Sequence, residues 1–223
     1  MKIIKTILVL LLINTAVFNS QEITKSFVQV YGEGPVGRHL LGTEVKVYSK
    51  EDAVNLAKTE IEEFLSAMVY GYTFLYKIEN KFTHSEGYFE LTPVAKIKNI
   101  EKNTTLTQLE ESRLFLRFQA LYRPTDDQKT FIMGFNSSLA KYTAGEGRKN
   151  WIGEWNIRID AYKDAIKNAI LNHAKGKIKA RPLYIKGRVL LKNSPIIVLD
   201  SGEWRAKVEV NLIIQEITYE ELN

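Results

Sequence analysis

Apolar residues recur along this chain with two different periods. In two places, a segment with a period of two is followed directly by one with spacings of three and four. The segments VKVYSKEDAV (45–54) and IRIDAYKDAI (157–166) both open on alternating β-branched residues and continue into Asp-Ala and another β-branched residue. A period of two is typical of a half-buried strand, and spacings of three and four are typical of an amphipathic helix. Each segment therefore predicts a strand that leads into a helix, and the offset of 112 residues indicates two copies of one unit.

Both predicted helices have recognisable ends. Ser49 followed by Asp52 predicts a capping box for the first helix, and Asp160 is the predicted N-cap of the second. Gly176 would end the second helix. Each helix has one apolar face, formed by Ala53, Leu56, Ala57, Ile61, Phe64, Leu65 and Met68 in the first and by Ala161, Ala165, Ile166, Ala169, Ile170 and Ala174 in the second.

The strands repeat as well. Gly-Glu-Gly at 32–34 and again at 145–147 predicts a turn in each unit, and two extended segments follow each helix. We expect the backbones around 45–97 and 157–212 to superpose as strand-helix-strand-strand. The extended segments lie at 70–78 and 87–97 in the first unit, and at 182–191 and 202–217 in the second.

Between the units, 112–124 and 129–142 are predicted to form a β-hairpin around a Pro-Thr-Asp-Asp turn. The fold class is α+β, with two tandem strand-helix-strand-strand units and a mostly antiparallel sheet. The predicted organisation is a signal peptide at 1–20, a first α+β unit at 21–110, the connecting hairpin at 111–142, and a second α+β unit at 143–223.

The N-terminus determines the expected compartment. Lys2 and Lys5 precede the apolar stretch TILVLLLINTAVF, which is short for a membrane span and typical of a secretory signal cleaved after Ser20. An uncleaved anchor is the alternative. We expect an exported protein, periplasmic or envelope-associated in a bacterium, with no stable membrane span after cleavage.

Composition narrows the function classes. The chain has no cysteine, which excludes disulfides, thiolate chemistry and cysteine-based metal sites. Its 31 basic and 26 acidic residues are interspersed, which favours a mixed solvated surface over nucleic-acid binding.

The opening VQVYGEGPV, the helix EDAVNLAKTEI and the strands that follow resemble the strand-helix-strand-strand modules of exported bacterial envelope proteins. Such modules occur in the flagellar assembly protein T family, in small envelope lipoproteins of epsilonproteobacteria and in periplasmic domains with a Gly-x-Gly opening strand. AYKDAIKNAILNHAKG through WRAKVEVNLII resembles the same pattern. The resemblance implies a role in envelope assembly and protein contacts, with envelope proteins, flagellar basal-body components or the chain itself as partners. The lipobox of the lipoprotein members is absent.

Motifs for catalysis or cofactors are weak. GEGPVG (32–37) matches a dinucleotide fingerprint, but no helix is predicted directly after it, and SLAK (138–141) lacks the partner motifs of a serine acyl-transferase. The three histidines are far apart, so no metal site is predicted, and we expect no cofactor.

Two clusters of acidic residues are the candidates for hydrolase chemistry. Glu60, Glu62 and Glu63 are predicted on the outer side of the first helix, and Asp126 and Asp127 at a turn. A solvated helix face and a turn explain both groups, so an envelope hydrolase is the least favoured function.

Two surfaces are candidates for binding. Trp151, Trp155, Tyr72 and Trp204 could form an aromatic platform for a glycan or peptide, with core packing as the alternative. Lys175, Lys177, Lys179 and Arg181 could contact an anionic surface, or simply solvate a helix end. The leading hypothesis is a non-catalytic exported protein that acts through protein–protein contacts in cell-envelope or appendage assembly, and the alternative is an exported ligand-binding or glycan-binding module.

Overall fold

The computed structural model describes residues 27–41, 44–77, 87–98, 100–136, 139–152, 154–175 and 182–219. The predicted signal peptide lies outside these residues. The described residues form three helices, α1 (Lys50–Val69), α2 (Asp126–Phe135) and α3 (Ile157–Lys175), and eleven strands: β1 (Val28–Pro35), β2 (Gly37–Leu41), β3 (Glu44–Tyr48), β4 (Tyr72–Lys77), β5 (Tyr88–Pro93), β6 (Thr104–Glu111), β7 (Phe115–Tyr122), β8 (Lys141–Asn150), β9 (Pro182–Leu191), β10 (Ile196–Asp200) and β11 (Glu203–Tyr219).

All described strand pairs are antiparallel. One sheet has the order β1-β7-β6, and the larger sheet has the order β10-β11-β9-β4-β5, with β8 also paired to β11. The strands β2 and β3 form a separate hairpin. Helix α1 contacts β1, β7 and β9, while α3 contacts β8 and β11, so α1 touches both sheets. The α+β prediction is confirmed.

The structure contains a repeated unit, but its strands are not the predicted ones. The sets β1-β7-β6 and β8-β11-β9 have the same order and orientation, and each is covered by one helix. Their registers also agree, because Gly34 lies opposite Leu116 in the first set and Gly147 lies opposite Ala206 in the second. The strands equivalent to β9 and β11 are therefore β6 and β7. The hairpin β4-β5, which the sequence suggested as their counterpart, instead extends the larger sheet by pairing with β9.

Gly-Glu-Gly is not a turn in either copy. Residues 32–34 lie inside β1 and residues 145–147 inside β8. A Cβ on Gly34 would overlap the backbone of Ala53, and one on Gly147 would overlap the carbonyl oxygen of Ala161. The glycines therefore let a helix lie directly on a strand, which is the close-approach role of glycine rather than its turn role.

The triplet Ile157-Arg158-Ile159 is the first turn of α3 and not a strand, so Asp160 is not the N-cap. The carbonyl of Asn156 accepts the N–H of Ile159 at 2.9 Å, which begins the helix there. Three β-branched or long residues are too short a run to specify a strand against this packing. The capping box of Ser49 and Asp52 on α1 is present as predicted, and Gly176 lies outside the described residues.

The predicted connecting hairpin is wrong in its second arm. Its first arm is β7, which pairs with β6 and β1. The second arm is largely the helix α2, where Thr125 and Gln128 form a capping box. That Thr-x-x-Gln pattern is a helix start, and it outweighs the strand-like residues Phe131 and Ile132 that follow.

The core lies where α1 and α3 pack against each other and against the sheets. The Tyr162 ring of α3 packs edge-on against Phe64 of α1, with ring centroids 5.0 Å apart. No described helix is long and apolar enough to cross a membrane. The largest fully buried side chains are Tyr162, Phe64, Ile61, Leu65, Leu116, Ile166, Ile170, Ile185, Leu212, Val30, Val69 and Val189.

Candidate functional site

The most distinctive group of side chains in the described structure lies where β1 meets the second unit. Strand β1 pairs with β7 on one edge only. On the other edge the N–H of Glu33 donates to Oε2 of Glu60 at 2.8 Å, and its carbonyl accepts from Nε1 of Trp155 at 3.1 Å. Side chains from α1 and from the turn before α3 therefore satisfy both backbone groups of Glu33 at this strand edge.

Arg158 is the centre of this group. Its side chain projects from the first turn of α3, and the residue is 2% exposed. Its Nε donates to Oε1 of Glu60 at 2.9 Å, and its Nη2 lies 3.0 Å from Oε2 of Glu33. Glu60 and Glu33 are themselves buried, at 4% and 7% exposure. The charges are therefore removed from water and compensated by one another.

Two indole rings enclose the guanidinium. The Cζ atom of Arg158 lies 4.8 Å from the ring centroid of Trp155 and 4.5 Å from that of Trp204. The rings themselves meet edge-on at 5.4 Å. A cation over an aromatic face is attracted by the ring quadrupole, and this attraction increases as water is excluded. Nη1 of Arg158 is buried and has no hydrogen-bond partner among the described residues.

The electrostatics keep Arg158 charged. Burial by itself lowers the pKa of the guanidinium, but the carboxylates of Glu60 and Glu33 raise it, and the net pKa lies above the ordinary value for arginine. The opposite charges thus more than compensate for desolvation.

The network extends to the surface on one side. Nε of Arg117, on β7, donates to Oε1 of Glu33 at 2.6 Å. The hairpin β2-β3 packs alongside, since the His39 ring lies 6.2 Å from that of Trp155 and 5.6 Å from that of Tyr48. The two glutamates and two arginines together have no net formal charge.

This arrangement is suited to joining the two units. Glu33 and Glu60 belong to the first unit, whereas Arg158 and both indoles belong to the second. Each carboxylate is already engaged by an arginine, and the charged groups at the centre are closed to solvent. Removing one partner of such a buried pair leaves an uncompensated charge, so the network makes the relative placement of the units strongly specified.

The predicted aromatic platform is only partly assembled. Trp155 and Trp204 do come together, but their faces hold Arg158. Trp151 lies nearby, and its backbone N–H donates to the carbonyl of Gly202 at 3.1 Å. Tyr72 is placed elsewhere: it is 2% exposed, and its hydroxyl donates to Oε1 of Glu63 at 2.8 Å. The four predicted residues therefore do not form one exposed surface.

Only some of the other residues named in the predictions lie in the described part of the chain. Lys175 is the last residue of α3, while Lys177, Lys179 and Arg181 lie outside the described residues. Glu60 was expected on the solvated side of α1 and is instead buried against Arg158. In the parts of the chain that the structure describes, no group of three or more potential metal ligands comes together.

Sequence reasoning missed Glu33, Glu60 and Arg158. Arg158 was assigned to a strand, which placed it outside the helix that carries it into the core. A signal was available: Trp155 and Arg158 are three residues apart, so on a helix they share a face.

Comparison with known proteins identifies a family for this chain. A protein-family model whose description names no activity matches residues 19–219. The chain belongs to this family. A protein of Treponema pallidum (strain Nichols), described as an uncharacterized protein, is 22% identical over 154 residues, which is 69% of this chain and 65% of the relative. The match thus covers less than two thirds of the relative's length. No solved structure matches the chain.

Proposed function

We propose that this chain is a non-catalytic exported protein that acts through protein–protein contacts in cell-envelope or appendage assembly. The observation that supports the proposal is the largely apolar strand β10, which pairs with β11 on one side only. Open strand edges bind other chains by adding a strand, and soluble proteins commonly block those they do not use.

Three other strand edges of the described structure, those of β1, β8 and β6, are capped, covered or interrupted. The free edge of β1 is capped by Glu60 and Trp155. The free edge of β8 is covered by α3, from which Asn168 donates to the carbonyl of Glu146 at 2.7 Å. A bulge between Gln108 and Glu110 interrupts β6.

The remaining edge of the larger sheet, β5, carries a charge and a proline. Strand β5 has a charged residue, Glu90, in its middle, and it ends at Pro93. A proline and charged side chains are both devices that discourage pairing at an edge.

Strand β10 has neither a bulge nor a side-chain cap; Pro195 precedes it and its single charged residue, Asp200, lies at its end. It reads Ile-Ile-Val-Leu-Asp and pairs with β11 on one side only. Among the described residues, no side chain hydrogen-bonds to its backbone and no bulge interrupts it. Ile196, Val198 and Leu199 are 62%, 44% and 53% exposed. An edge of this composition favours addition of a strand from another chain.

Site-specific photo-crosslinking in the native host tests the proposal. A photoreactive residue at position 196 should give discrete crosslinked species that contain envelope proteins or a second copy of the chain. The matched control is position 109, because Leu109 is similarly exposed, at 49%, but lies at the bulge of β6. Equal crosslinking from both positions, or none from position 196, contradicts the assignment of β10 as the contact surface.

The two alternative functions receive less support from the geometry. A glycan platform needs open indole faces, and the faces of Trp155 and Trp204 are occupied by Arg158. Quenching of tryptophan fluorescence by cell-wall fragments, lost in Trp151→Ala, would nevertheless favour that module. Turnover of peptidoglycan or esters by the purified protein would favour an envelope hydrolase.

A further inference from the structure

We infer that the β10 edge pairs with the β10 edge of a second copy, in an antiparallel arrangement about a two-fold axis at Val198. The inference rests on the proposed function and specifies the partner. In this dimer the two larger sheets join into one continuous sheet across the axis.

The length of β10 fixes the register. Antiparallel pairing of the five residues 196–200 with their symmetry mates is complete only when Val198 lies opposite Val198 of the second copy. Ile197 then lies opposite Leu199 of the second copy, and Ile196 opposite Asp200. Every exposed apolar residue of the edge is covered in this register, as the self-complementary surface of a two-fold dimer requires.

Charge on one face of the sheet supports the same register. Lys207 lies directly opposite Ile196 in the β10-β11 pair, and Asp200 lies opposite Glu203. Directly opposite residues share a face, so the dimer sets up the row Lys207, Ile196, then Asp200 and Glu203 of the second copy. Strands are spaced about 4.8 Å apart, so the Lys207 and Asp200 backbones lie about 10 Å apart, within reach of their side chains.

Lys207 is available for this contact. It is exposed and forms no ion pair with any described residue of its own chain. Asp200 lies 3.4 Å from Nη1 of Arg205 in its own chain, so Lys207 of the second copy adds a second cation to this carboxylate. The two-fold axis generates the row twice, so each dimer gains two such contacts. An apolar partner strand without acidic residues would leave both lysines unpaired, and this difference favours a second copy as the occupant.

The contact is small, so the dimer should be weak and concentration-dependent. A single five-residue strand pair buries less surface than a permanent interface does. We expect a monomer–dimer equilibrium in the purified protein between micromolar and millimolar concentration.

Sedimentation equilibrium of the purified protein tests the inference. Val198→Lys should abolish dimerisation, because it places two like charges on the axis. The control Leu109→Lys, at an equally exposed position on β6, should leave dimerisation unchanged. Circular dichroism verifies that each variant is folded.

A charge exchange tests the register. Lys207→Asp should weaken the dimer about tenfold, because two weak attractions become repulsions in each dimer. The double variant Lys207→Asp/Asp200→Lys should restore the affinity. Failure of that rescue overturns the register, and a protein that stays monomeric, or a dimer insensitive to Val198→Lys, overturns the inference.

The crosslinking experiment separates this inference from the proposed function. Crosslinks from position 196 to a second copy support both. Crosslinks from that position only to a different protein overturn the inference and leave the proposed function supported. Absence of any specific crosslink overturns both.

Discussion

Arg158 of α3 donates to Glu60 of α1 at 2.9 Å, and both side chains are almost completely buried. The pair connects the helices of the two repeated units. Because Glu60 also accepts the N–H of Glu33, one carboxylate both neutralises the guanidinium and caps the free edge of β1.

Glu60→Gln is expected to destabilise the fold by about 3 kcal/mol, since it leaves Arg158 with reduced charge compensation in a buried site. Urea denaturation monitored by circular dichroism measures the change. Glu51→Gln, at an exposed position in the first turn of the same helix, should cost much less. Equal losses for the two variants would show that the buried network does not contribute to stability.

Gly147→Ala is expected to destabilise the protein by about 2 kcal/mol or more, because the added methyl overlaps the backbone of Ala161 and forces β8 and α3 apart. Gly134→Ala is the matched control in α2, where a Cβ meets nothing within 4 Å. In that exposed helix the change should stabilise the protein by about 0.5–1 kcal/mol. Thermal denaturation distinguishes the two, and a neutral Gly147→Ala would contradict the close strand–helix contact.

Stability should fall at alkaline pH because of two buried tyrosines. Burial, with Tyr162 and Glu63 nearby, raises the pKa of Tyr72 well above 10.0, and burial likewise raises that of Tyr162. Above pH 10 the unfolded chain releases these protons while the folded state retains them. The free energy of unfolding should therefore decrease by about 1.4 kcal/mol per pH unit for each tyrosine.

Tyr162→Phe should remove about half of this alkaline slope. Urea denaturation between about pH 9 and pH 11 measures it. Tyr219→Phe, at a position 46% exposed, serves as the control. An unchanged slope in Tyr162→Phe would exclude Tyr162 as a source of the pH dependence.

Thr125→Ala is expected to destabilise α2 by about 1 kcal/mol, because the Thr125 hydroxyl caps the helix through the N–H of Gln128. Gln128 also accepts the Tyr122 hydroxyl at 2.8 Å and donates to that of Tyr70 at the same distance, so fraying should loosen buried contacts. Hydrogen exchange of the α2 amides measures the effect. Thr130→Ala, at an exposed position of the same helix, is the control. In this variant the α2 amides should exchange as slowly as in the wild type.

Local sequence patterns predicted the elements that have strong local signals. The apolar stripe of α1 and the Ser49–Asp52 capping box specify that helix, and the alternation Trp204, Ala206, Val208 specifies β11, because helices and half-buried strands impose their own periods. The Thr-x-x-Gln pattern at Thr125 is a further local signal, which the hairpin prediction from the Pro-Thr-Asp-Asp turn left out.

Sequence comparison within the chain indicated the repeat but not its register. Gly34 and Gly147 each lie against the first small residue of a helix, Ala53 and Ala161, so the helices correspond at an offset of 108 rather than 112. The resemblance of the two Asp-Ala segments is therefore one turn out of register. Four residues nearly complete a helical turn, so both alignments preserve the apolar face.

Local sequence patterns were sufficient for the fold class and for the apolar faces of α1 and α3, because both depend on the periods of single elements. Tertiary structure decided which strands pair, because antiparallel pairing depends on neighbours distant in sequence. It also decided that Glu33, Glu60 and Arg158 meet in one buried site and that β10 remains an open edge. Periodicity shows that a residue faces inward or outward, whereas only the packed fold determines what it faces.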